Sequence, residues 1–80
     1  MINKGKILIP LNMLSTGQKA VISEITGGEK VRRRLLDLGL NKGSVIYVIQ
    51  NNMGPIILAL GDTRLVLGFG VAQKVKVEEI

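Results

Sequence analysis

The strongest constraint on this chain is one short helical segment enclosed by glycines. Residues 27–43 read GGEKVRRRLLDLGLNKG. Gly27 and Gly28 break the chain, and Glu29 opens a helical pattern near the positive end of a helix dipole. Val31, Leu35 and Leu38 fall at i, i+4 and i+7, which places them on one face. Gly39 stands where a left-handed C′ residue stops a helix at little steric cost. Asn41-Lys42-Gly43 then turns the chain into a run of β-formers. The sequence on either side reads as strand, so a single helix must be held against a small sheet.

The helix also has an outward side. Arg32, Arg33 and Leu36 point away from the Val31/Leu35/Leu38 face. Arg34 lies at the edge of that face, where its stem can pack and its guanidinium can reach a carbonyl or a carboxylate. Glu29 with Arg33, and Arg33 with Asp37, are i,i+4 pairs expected to add a few tenths of a kcal/mol each. Leu36, ringed by arginines, reads in two ways: a stray leucine on a solvated basic face, or a docking point for another protein.

Eighty residues make one domain, and a domain this small buries only about 60% of its unfolded surface. There is no cysteine, so neither disulfides nor thiolate metal sites supplement the core, which fits a reducing compartment. Tyr47 and Phe69 are the only aromatics, so the core must be built from Ile, Leu and Val. A net charge of +5 and a pI near 10.0 favour acidic partners, anionic membrane surfaces or nucleic acid. No apolar run approaches the roughly 20 residues of a membrane-spanning helix. Ile7–Leu11 follows two lysines, but Pro10 interrupts it and it is too short for a secretory signal. The expectation is a soluble cytoplasmic protein without membrane insertion.

Residues 1–9 read as an N-terminal extension whose Ile7, Leu8 and Ile9 add an edge strand or pack on the barrel; the domain proper is residues 10–80. In Pro10–Gly17, Leu11 and Leu14 stand three apart before a Ser-Thr-Gly turn, so one helical turn or a tight loop points both inward. Gln18–Ile25 is a strand with Ala20 and Ile22 on one face, and Glu24 breaks its alternation, which suggests a bulge. Ser44–Gln50 and Ile56–Leu60 are strands joined by the turn-forming run Asn51-Asn52-Met53-Gly54-Pro55. Gly61-Asp62 makes a tight hairpin to Thr63–Leu67. Gly68–Ala72 is expected to be a short connector with one 3₁₀ turn, and Lys74–Glu78 a final strand with Val75 and Val77 inward. Short strands at close spacing, one helix and many glycine corners predict a mostly β fold, a small, partly open antiparallel barrel. Ser44–Gln50 and Ile56–Leu60 are apolar on both faces, more than a barrel interior uses, so self-association or a partner is expected to cover the surplus.

The order of these motifs resembles the FeoA family. The matching residues are Leu11-x-x-Leu14-x-x-Gly17, Ala20 and Ile22, then Arg33-Arg34-Leu35-x-Asp37-Leu38-Gly39-Leu40-x-x-Gly43. Gly54-Pro55-Ile56, Gly61-x-x-Arg64-Leu65-x-Leu67, and Ala72 ahead of Val75-x-Val77 follow at the right distances. Gly68-Phe69-Gly70 departs from the family, where that stretch is more polar and more helical. The resemblance implies an SH3-like barrel and a role in ferrous iron uptake, as a small cytoplasmic accessory to FeoB, a membrane transporter with a GTP-binding domain. It also implies recruitment to the inner face of the membrane by that partner.

No P-loop occurs, so any GTP hydrolysis belongs to the partner, and Gly68-x-Gly70 lacks the third glycine of a dinucleotide fingerprint. Without His or Cys the usual general-base and nucleophile arrangements are missing, and the expectation is that the chain is not an enzyme. The family carries a label of transition-metal binding. Ferrous ion favours imidazole ligands, though, and Glu24, Glu29, Asp37, Asp62, Glu78 and Glu79 form no ligand spacing. The three methionines, Met1, Met13 and Met53, read as terminus, core filler and turn contact, so no metal or cofactor site is expected.

Two functions of different class remain. The preferred one is a protein–protein adaptor docking on FeoB through Arg32, Arg33, Leu36 and Leu40, with Met53 of the hairpin turn as a further contact. The alternative is a small-barrel RNA-binding module driven by basic charge. Stacking platforms for bases need aromatics, and this chain has two, so binding would be nonspecific and salt-dependent. A repressor is disfavoured because the chain has no space for a helix-turn-helix.

Overall fold

A computed structural model of the chain describes residues 7–80, so Met1–Lys6 of the N-terminal extension lie outside the described residues. The elements are β1 (Ile9–Pro10), a 3₁₀ turn (Leu11–Met13), β2 (Lys19–Ile25), α1 (Glu29–Asp37), β3 (Val45–Asn51), β4 (Ile56–Leu60), β5 (Thr63–Leu67), α2 (Phe69–Ala72) and β6 (Val75–Glu79). The strands form a single antiparallel sheet in the order β1-β6-β2-β3-β4-β5. It curls around one aliphatic core and stays open between β5 and β1, giving the small SH3-like, partly open barrel.

Period-two alternation fills the barrel. Ala20 and Ile22, Ile46 and Val48, Ile56 and Leu58, Leu65 and Leu67, and Val75 and Val77 all turn inward and are buried. Leu11 and Leu14 close one mouth from the 3₁₀ turn and its exit, as their spacing predicts. Two bulges help the sheet to curl. One inserts Ser23 between Ile22 and Glu24 opposite Val77 and Lys76, next to the break in alternation at Glu24. The other inserts Ile49 between Val48 and Gln50.

The Gly61-Asp62 turn joins Leu60 to Thr63 directly, with Gly61 at φ +60°, the first central position that a type II′ turn reserves for glycine. Ile9 pairs with Val77 at the sheet edge, while Ile7 and Leu8 precede the strand and are exposed. The connector Gly68–Ala72 differs from expectation. It is an α turn, closed by Ala72 N–H to Gly68 C=O (3.0 Å) and Gln73 N–H to Phe69 C=O (3.0 Å), because buried Ala72 draws the segment onto the core. The extra apolar residues of β3 and β4 do face outward: Val45 and Tyr47 are exposed, and Ile57 and Ala59 are half-buried.

Asn51 ties the β3 end to the segment before β2. Its Nδ2 donates to Asn12 C=O (2.9 Å) and Leu14 C=O (2.6 Å), and its backbone N–H donates to Thr16 Oγ1 (3.2 Å). Replacing Asn51 by Ala leaves two part-buried carbonyls without their donor and should cost about 2 kcal/mol, read as a fall of roughly 10 °C in Tm. A Tm unchanged by N51A would show that water serves those carbonyls equally well.

Candidate partner-binding surface

The helix terminus decides which leucines are available to a partner. α1 ends at Asp37, Leu38 caps it, and Gly39 adopts φ +91°. Leu40 N–H donates to Leu35 C=O (2.9 Å) and Gly39 N–H to Leu36 C=O (2.9 Å), the paired bonds of a Schellman motif. That motif brings the residue after the glycine back onto the third residue from the helix end, here Leu40 onto Leu35, and both are buried in the core. The positive φ makes glycine the residue this position needs, and a Cβ there would also sit tightly, 3.1 Å from Leu60 Cδ2.

Two expectations are corrected here. Leu40, expected at the docking surface, is 0% exposed and belongs to the core. Leu38, expected on the buried helix face, is 39% exposed, because the chain reverses at Gly39 and Leu40 takes the core position instead. Val31 is half-buried against the core and Leu35 is buried, as expected. The i,i+4 pairs are not formed either. Glu29, Arg33 and Asp37 are all exposed and make no ion pair among the described residues; solvation of flexible side chains outweighs the weak attraction. Arg34 is likewise exposed, and its guanidinium makes neither a hydrogen bond nor an ion pair among the described residues.

Arg32, Arg33 and Leu36 do come together. Leu36 is 52% exposed on the outward side of α1. Two shallow cavities meet at Arg32 and Leu36. One, about 460 Å³, runs between α1 and the bulged end of β2, lined by Ser23, Glu24, Ile25, Asn41 and Lys42. The other, about 490 Å³, is bounded by Glu29 and Arg33. Leu36 is thus an apolar ridge between two hollows, with three cations, Arg32, Arg33 and Lys42, on their rims. None of the three side chains makes a hydrogen bond or ion pair among the described residues.

Sequence reasoning missed Lys42, Asn41 and the β2 bulge as parts of this surface. The signal for the first two was their place straight after the helix stop. Ser44 holds that turn: Asn41 N–H donates to Ser44 Oγ (3.1 Å), and Ser44 N–H donates to Asn41 C=O (2.9 Å). Neither aromatic lines either cavity, so the cationic face has no stacking platform.

Met53 stands apart. It lies in the β3–β4 loop, lines neither cavity, and is 91% exposed at φ +65°, a left-handed conformation that disfavours a side chain. Met53→Gly should therefore raise stability by about 0.5–1 kcal/mol, the relief of αL strain outweighing the added freedom of the unfolded chain. Chemical denaturation measures it, and a destabilised variant would refute the strain.

Among the described residues no group of three His, Cys, Asp or Glu side chains could hold a metal ion, and no helix is long and apolar enough to cross a membrane. What the fold presents is a small SH3-like barrel with an apolar ridge on its helix and, beside it, cationic side chains without ion partners among the described residues. The FeoA domain family matches residues 9–79. The protein named "Putative Fe(2+) transport protein A" of Methanocaldococcus jannaschii is 32% identical over 72 residues, covering 90% of this chain and 88% of its own. The crystal structure of an iron uptake regulatory protein (FeoA) superposes with a TM-score of 0.87 at 35% identity, over 92% of this chain and 100% of that one. The NMR structure of a FeoA-like protein from Clostridium acetobutylicum gives 0.83 at 31% identity, over 95% and 90%. The chain belongs to the FeoA family, a component of ferrous iron transport.

Proposed function

We propose that this chain is a non-enzymatic accessory of ferrous iron uptake that docks on the cytoplasmic GTP-binding region of a FeoB-like membrane transporter and modulates or assembles it. The observation that carries the reading is Leu36, half-exposed between two cavities whose rims hold Arg32, Arg33 and Lys42 without ion partners among the described residues. An apolar anchor bordered by cations suits a partner patch in which an apolar side chain is surrounded by carboxylates: the anchor supplies buried area, and the charges speed and orient the encounter. Iron is the cargo of the system, and its handling and any GTP hydrolysis fall to the transporter. The protein would then work in the cytoplasm, held at the inner membrane face by its partner.

Binding of the purified chain to the isolated cytoplasmic domain of the transporter, with and without GTP, tests this. The expected result is a complex whose affinity falls as salt is raised. No binding in either nucleotide state would remove the transporter as the partner. Binding of RNA that persists at physiological salt with sequence preference would favour the nucleic-acid alternative instead.

A further inference from the structure

The two edges of the sheet are unlike. β1 is two residues long and includes Pro10, so it offers little backbone to an incoming strand. β5 is five residues long, with neither a proline nor a bulge.

The Gly61-Asp62 turn determines which groups on β5 are free. In a two-residue hairpin the residues flanking the turn exchange both backbone hydrogen bonds, and the pairs alternate from there. Leu60 and Thr63 are the flanking pair, so Thr63, Leu65 and Leu67 direct their N–H and C=O groups to β4. Arg64 and Val66 direct theirs outward. No backbone hydrogen bond from any other element reaches either residue among the described residues.

The side chains of the same two residues are also presented outward. Val66 is 64% exposed and lies beside Ile57 on the outer face. Arg64 is exposed, makes no ion pair among the described residues, and ends the cross-sheet row Lys19–Tyr47–Ala59–Arg64. The nearest acid in sequence, Asp62, sits in the turn.

We infer that β5 is a strand-addition site: it takes an extended segment of another polypeptide in which carboxylates alternate with apolar side chains. Main-chain pairing to Arg64 and Val66 supplies affinity, and the side chains beside them supply selectivity. Charge selects this occupant over a second copy of the chain, which would bring a further +5 to the same edge. The inference is independent of the α1 surface, since no residue of β5 lines either cavity there.

Amide exchange of the isotope-labelled full chain tests it, with two synthetic, end-blocked hexapeptides as probes, one alternating valine with glutamate and the other valine with lysine. The glutamate peptide should slow exchange at Arg64 and Val66 by about tenfold or more, and the lysine peptide should not. Arg64→Glu should invert that preference without altering the amide spectrum of the core. Val66→Pro removes an N–H that faces away from the sheet, so the barrel should tolerate it while the glutamate peptide no longer protects Arg64. Protection by neither peptide overturns the site, and equal protection by both overturns the proposed occupant. Protection that rises with protein concentration alone assigns the edge to a second copy and overturns the proposed occupant.

Discussion

Leu40→Ala should destabilise the protein by about 2–5 kcal/mol, whereas Leu38→Ala should cost under about 1 kcal/mol. Leu40 is completely buried and returns onto Leu35 through the Schellman motif, so its truncation leaves a void between helix and barrel. Leu38 has solvent on much of its surface, so little apolar burial is lost with it. For a domain of 80 residues, total stability is of the order of 4–12 kcal/mol, so L40A removes a large fraction and should lower Tm by more than about 10 °C. Equal costs for the two substitutions, measured by denaturant titration, would mean that the helix end is not where the structure places it.

Leu36→Asp should abolish binding to the transporter domain while the barrel stays folded. The side chain is half in water, so the fold loses little burial; an acid near the helix C-terminus costs a few tenths of a kcal/mol. At an interface the same change removes the apolar ridge and sets a carboxylate among Arg32, Arg33 and Lys42. Truncating a central anchor typically costs 2 kcal/mol or more, about a 30-fold loss in affinity, and a buried charge adds to it. Arg33→Glu should instead act mainly on the association rate and on its salt dependence. Undiminished affinity of L36D, with an unchanged circular dichroism spectrum, would take α1 out of the interface.

Much of the fold was legible because its signals are local. Alternation in Lys19–Ile25 and Val75–Glu79 reports which side chains face inward, and glycines at 39, 43 and 61 occupy the left-handed turns they suit. The candidate surface was legible only in part. Arg32, Arg33 and Leu36 follow from helical periodicity, but Lys42 and the bulged end of β2 reach the same cavity through tertiary contact. The connector at Gly68–Ala72 was misjudged because its two glycines weaken helix propensity, and burial of Ala72 overrides it.

Taken alone, the sequence determined a single aliphatic barrel with one helix, a cationic outward face and no imidazole or thiolate chemistry. The tertiary structure decided which leucine after the helix enters the core, which sheet edge stays open, and that Met53 lies away from the helix cavities. The physical reason is range. Periodicity and turn chemistry depend on residues a few positions apart, whereas burial at Leu40 and exposure at Val66 depend on elements that meet only when the sheet curls around its core.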